Sequence, residues 1–145
     1  MLKLFKISTI ITILFINYGA MAAEQSLEAL SVWKNQSGST FTINSINPTT
    51  GQLSGVYINN ASGYSCAGTP YAATGYAYNN IISWSVLWSN AYENCQSITG
   101  WTGYVNSSGA IKTVWELVYN NQISTGNDVF NYVSQVTTKG FKKVN

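Results

Sequence analysis

The 145 residues suffice for a single domain, and a composition that is 46% hydrophobic and 14% aromatic can fill a sizeable core, which excludes a disordered chain. Only 8% of residues are charged and the formal net charge is +2, carried entirely by lysines. A near-neutral chain without arginine offers no basic stripe for phosphate backbones, which argues against nucleic acid as a partner. Histidine is absent, so Ser-His-Asp and Cys-His catalysis and imidazole-ligated zinc are excluded; no catalytic residue, metal site or cofactor is expected.

Residues 1–22 read as an export signal: Lys3 and Lys6 lead, an apolar run follows over 7–16, and Ala20-Met21-Ala22 supplies small residues at the cleavage point. That run is shorter than the ~20 residues a membrane-spanning helix needs. The mature chain is therefore expected to be secreted or periplasmic and free of the membrane. In such a compartment an even cysteine count means pairing, so Cys66 and Cys95 are expected to form one disulfide, which for a loop of this length contributes about 3.5 kcal/mol.

After the signal, short runs alternate apolar and polar residues, and no stretch keeps a helical period. Eight strands are expected, at 30–35, 39–46, 52–59, 71–78, 81–88, 96–105, 110–119 and 127–135. Gln36-Ser37-Gly38, Asn47-Pro48-Thr49-Thr50-Gly51, Asn79-Asn80 and Ser107-Ser108-Gly109 separate them, with glycine or asparagine wherever the chain needs a positive φ. Hairpin-length breaks imply that neighbours in sequence pair in space. The expected fold is all-β: an eight-stranded antiparallel up-and-down barrel over residues 23–135, closed so that no sheet edge is left open. Residues 136–145, with Lys139, Lys142 and Lys143, read as a basic, solvated tail.

A barrel of this size either fills with side chains or holds one small ligand. Residues two apart share a face. The inward sets are Ser39, Phe41 and Ile43; Tyr57 and Asn59; Trp84, Val86 and Trp88; Ser97, Thr99 and Trp101; Thr113, Trp115 and Leu117; and Asp128 with Phe130. They mix large aromatics with hydrogen-bonding groups. In a filled core each unpaired polar group costs roughly 1 to 3 kcal/mol, so the mixture favours a pocket. Asp128, the sole aspartate, either meets donors inside or lies exposed at the rim.

Trp33-Lys34-Asn35-Gln36-Ser37-Gly38-Ser39, Gly55-Val56-Tyr57, Trp84-Ser85-Val86-Leu87-Trp88, Asn94-Cys95-Gln96-Ser97-Ile98-Thr99-Gly100-Trp101, Thr113-Val114-Trp115-Glu116-Leu117 and Gly126-Asn127-Asp128-Val129-Phe130 resemble, in order and spacing, the avidin and streptavidin family. The cysteine contexts are most similar to its short, disulfide-containing dimeric members. The resemblance implies non-catalytic binding of biotin. It implies that Asn35, Ser39 and Tyr57 donate to the ureido oxygen, that Asp128 and Asn59 accept from the ureido N–H groups, and that Thr99 contacts the sulfur. By the same resemblance Trp88, Trp101, Trp115 and Leu117 wall the ring and tail, and Ser97 with the loop at 60–70 meets the tail carboxylate. Trp33 and Trp84 are read as barrel filling. Tetrameric members lend a tryptophan to a neighbour's pocket from the segment before the last strand; residues 118–126 hold none, so the resemblance implies a homodimer. The Asn-x-Ser sequons at Asn35, Asn60 and Asn106 are read as chance.

Overall fold

Alternating side chains with turn residues every eight to twelve positions can bury one face of each strand, with no edge left open, by wrapping the sheet around itself. In the computed structural model, which describes residues 26–136, the strands are β1 (Ser31–Lys34), β2 (Thr40–Ile46), β3 (Gln52–Ile58), β4 (Pro70–Tyr78), β5 (Ile81–Ser89), β6 (Asn94–Val105), β7 (Ile111–Tyr119) and β8 (Gln122–Gln135). Each pairs antiparallel with the next, and β8 returns to β1, closing the barrel in sequence order. The export-signal reading and the three tail lysines lie outside the described residues. Val136 still donates its N–H to Leu30 O at 2.6 Å, carrying the seam one residue past β8.

The turns carry the expected chemistry: Gly38 (φ 83°), Gly51 (72°), Asn79 (53°) and Gly109 (78°) all adopt the left-handed region. The last strand departs from expectation, beginning at Gln122 rather than at residue 127. Asn120 and Asn121 both take positive φ, 48° and 58°, forming the two-residue turn whose twist matches a hairpin. The register runs unbroken from Tyr119↔Gln122 to Ile111↔Phe130. Most of residues 118–126 is thus paired strand. At the other end, Leu30 (φ 62°) breaks the chain before β1, which is shorter than expected.

One end of the barrel is filled. Phe41 stacks on Trp84 at 4.3 Å, Trp84 stacks on Trp101 at 5.4 Å, and Phe130 meets Trp84 edge-on at 5.5 Å; such pairs contribute roughly 0.5–1.5 kcal/mol beyond area burial. Trp33 and Trp84 are both buried in this plug, as filling residues should be. Trp33 donates its Nε1–H to Ser31 Oγ at 2.9 Å, whereas the buried Trp84 Nε1–H meets no acceptor among the described residues. Above the plug the inward face turns polar: Ser39, Asn59, Ser97, Thr99 and Asp128 are all buried there.

Candidate functional site

The barrel's open end is rimmed by the β1–β2 turn, the β3–β4 loop and the middle of β6, β7 and β8. Between them lies a cavity of about 170 Å³. Nine of the eleven residues singled out in the sequence line it together: Asn35, Ser39, Tyr57, Asn59, Thr99, Trp101, Trp115, Leu117 and Asp128.

Each polar group is held by partners that fix which atom faces inward. Asn35 Oδ1 accepts the backbone N–H of Ser37 (3.1 Å) and of Ser39 (2.8 Å), so the amide closes its own turn and its Nδ2 is left for the cavity. Ser39 Oγ accepts the Asn60 N–H at 2.9 Å and donates to Asn59 Oδ1 at 3.1 Å. Asn59 Oδ1 also accepts the Ala61 N–H at 3.0 Å. Both lone pairs of that oxygen are engaged, so it can accept from a ligand only when Ser39 releases it.

Asp128 lies inside the barrel, not at its rim. Its Oδ1 accepts Gln36 Nε2 at 2.8 Å and its Oδ2 accepts Trp101 Nε1 at 2.9 Å. Gln36 also donates to Asn127 O (3.1 Å) and accepts the Val129 N–H (3.0 Å), clasping β8 with one amide. Tyr57 beside it has its phenol pKa raised well above the ordinary value, chiefly by burial and further by the Asp128 charge, with the Ser39 hydroxyl acting in opposition. The phenol is therefore a standing donor. Thr99 Oγ1 accepts Trp88 Nε1 at 2.8 Å, which orients its own proton away from the indole.

Trp88 and Ser97 are buried but do not line the cavity. Trp88 stands behind Thr99, edge-on to Tyr57, Tyr64 and Tyr71 at 5.9, 5.3 and 5.1 Å. Ser97 Oγ is bonded to Tyr64 OH at 2.6 Å, so the tyrosine covers it. Tyr64, Ala61 and Ser37 line the cavity without having been singled out. All three lie in connecting segments, where period-two parity says nothing; only the loop containing Ala61 and Tyr64 was indicated, by the family resemblance. Burial also raises the Tyr64 phenol, and the Ser97 bond opposes that shift.

The Cys66–Cys95 disulfide is formed, with Cα atoms 6.3 Å apart, and ties the β3–β4 loop to the start of β6. A second tie runs beside it, from Tyr71 OH to Glu93 Oε2 at 2.9 Å; burial, then the Glu93 carboxylate, push that phenol up to about 12.

Comparison with known proteins agrees with this architecture. The model of the avidin family matches residues 23–139. Hoefavidin of Hoeflea phototrophica is 51% identical over 110 residues, covering 69% of this chain and 67% of the relative. Among solved structures, apo shwanavidin superposes with a TM-score of 0.72 at 46% identity, over 76% of this chain and 100% of that one. The rhizavidin–biotin complex gives 0.70 at 40% identity, over 79% and 100%. With the closed barrel, the bridged loop and a match spanning every strand, this chain belongs to the avidin family.

Proposed function

We propose that this protein captures biotin at the open end of its barrel, without covalent change or turnover. Its relative rhizavidin has been solved with biotin bound, and so has a variant of shwanavidin, which supports the ligand class. The observation that carries the residue-level reading is the fixed polarity of the cavity: Asn35 has its oxygen turned to backbone, and Asp128 is pinned by two donors with lone pairs to spare. A cyclic urea presents the complement, one strong acceptor flanked by two N–H donors.

In this reading Asn35 Nδ2, Ser39 Oγ and Tyr57 OH donate to the ureido oxygen, and preset donors in a dry site favour charge build-up on it. Asp128 accepts one N–H. Ser39 turns its proton from Asn59 to the ligand, which frees Asn59 Oδ1 for the other N–H; one internal bond is exchanged for two to biotin. Thr99 offers its hydroxyl to the sulfur. Trp101, Trp115 and Leu117 flank the rings, Trp88 acts through Thr99, and the Tyr64–Ser97 hydroxyl pair meets the tail carboxylate.

We further propose a secreted or periplasmic homodimer. Leu87, Ile98, Val118 and Ile123 are exposed on the outer face, between 47% and 66%. They are successive cross-strand partners, Leu87↔Ile98↔Val118↔Ile123, so an apolar stripe crosses four strands at one height. Such a stripe suits a self-complementary contact.

The test of the ligand is a biotin titration followed by indole fluorescence. One ligand per chain is expected, and Asp128→Ala should weaken binding by about 3 kcal/mol, roughly a hundredfold. A flat trace with the native protein, or a variant that binds as the parent does, would refute the urea reading.

A further inference from the structure

Trp84, Trp101, Trp115 and Gly126 are successive Cα partners across β5, β6, β7 and β8. The first two indoles stack, 5.4 Å apart and 9° from parallel. The row then opens. Among the described residues Trp115 pairs with no other aromatic ring, although it is in direct register with Trp101.

The ring lies instead across Gly126. A Cβ built on that glycine falls 2.6 Å from Trp115 Cε2 and 3.1 Å from Cη2, and nearer still to Cζ2. The indole occupies the volume that any other side chain would claim. Gly126 has no left-handed φ, so space is the requirement there, not backbone freedom. Among the described glycines it alone has all three nearest atoms in one cavity-lining side chain; Gly75 and Gly103, by contrast, meet backbone carbonyl groups first. The seat matters because Trp115 is only partly buried: it packs against the edge of the core, yet borders both the inner cavity and an outer groove between β6 and β8.

We propose that Gly126 is a positioning residue for ligand recognition: by holding the Trp115 ring on its bare backbone it keeps that indole away from Trp101 and sets the width of the slot between them. The inference rests on the biotin reading for its consequence, and on the register and the glycine contact for its geometry.

Gly126→Ala is expected to weaken biotin by about tenfold or more, the effect of forcing a methyl group into a packed contact. In a Trp115→Ala background the same change should alter affinity less than about twofold, because the ring it displaces is gone. Equal losses in both backgrounds, or none in either, would overturn the proposal. If Gly126→Ala alone does not fold, the double variant decides: it should fold and bind as Trp115→Ala does, and its failure to fold would mean that backbone crowding, not the indole, demands glycine. The indole 15N–1H spectrum gives a readout independent of biotin. Gly126→Ala should move the Trp115 cross-peak and leave that of Trp33 in place; an unmoved Trp115 peak sinks the proposal, while a shifted peak in a protein that does not bind biotin would refute only the ligand reading.

Discussion

The indole N–H of Trp101 donates to Oδ2 of Asp128 at 2.9 Å, joining β6 to β8 through the barrel interior. The same indole stacks on Trp84, so one side chain both extends the aromatic plug and aims the carboxylate that lines the cavity. Trp101→Phe keeps most of the stack and removes the donor. Asp128 retains Gln36 on its other oxygen, so a modest fall in melting temperature should accompany a loss of about 1.5–3 kcal/mol in biotin affinity, the range for hydrogen bonds to charged groups. Calorimetric titration reads the second quantity; an affinity equal to that of the parent would show that Asp128 needs no second donor.

The disulfide should matter twice. Replacing Cys66 and Cys95 together by alanine releases a constraint worth about 3.5 kcal/mol in the unfolded chain, read as a lower denaturation midpoint. It also loosens the loop that carries Ala61 and Tyr64 over the cavity, so biotin should dissociate faster, the ordering cost now falling on the complex. Dissociation at the parent's rate, with stability reduced, would show that the Tyr64–Ser97 and Tyr71–Glu93 bonds hold the loop unaided.

The buried phenols set an alkaline limit. Tyr57 and Tyr71 both have folded values above the ordinary tyrosine value of about 10, burial being the main cause. Groups that hold their protons more tightly when folded contribute stability that is complete below the unfolded value and lost as pH rises through the folded one. Stability should therefore be level from pH 7 to 9 and decline above about pH 10, through the Tyr71 value of about 12. Absorbance at alkaline pH, recorded with thermal melts, checks this; titration of every tyrosine at the ordinary value with the fold intact would contradict it.

The outer stripe predicts the assembly. Ile98 sits at its centre, paired with Leu87 on one side and Val118 on the other, and its side chain points away from the cavity. Ile98→Lys should convert a dimer to monomers in sedimentation velocity while leaving the barrel's melting transition cooperative. A parent protein that sediments as a monomer at micromolar concentration would dispose of the dimer.

Much of this molecule was legible in the order of its residues, because period-two alternation is local: it assigned Phe41, Tyr57, Trp84, Thr99 and Trp101 to the inside without knowledge of any partner strand, and left Asp128 open between interior and rim. Turn chemistry likewise marked the hairpins, and Asn120-Asn121 carried the same signal for the true start of β8. Tertiary closure alone decided the rest. Whether Trp88 faces the cavity or stands behind Thr99, whether Tyr64 covers Ser97, which atom of Asn59 is occupied, and that Gln36 clasps β8 all depend on groups up to 93 residues apart. Parity says which side of the sheet a side chain leaves from; only the packed barrel decides what it meets there.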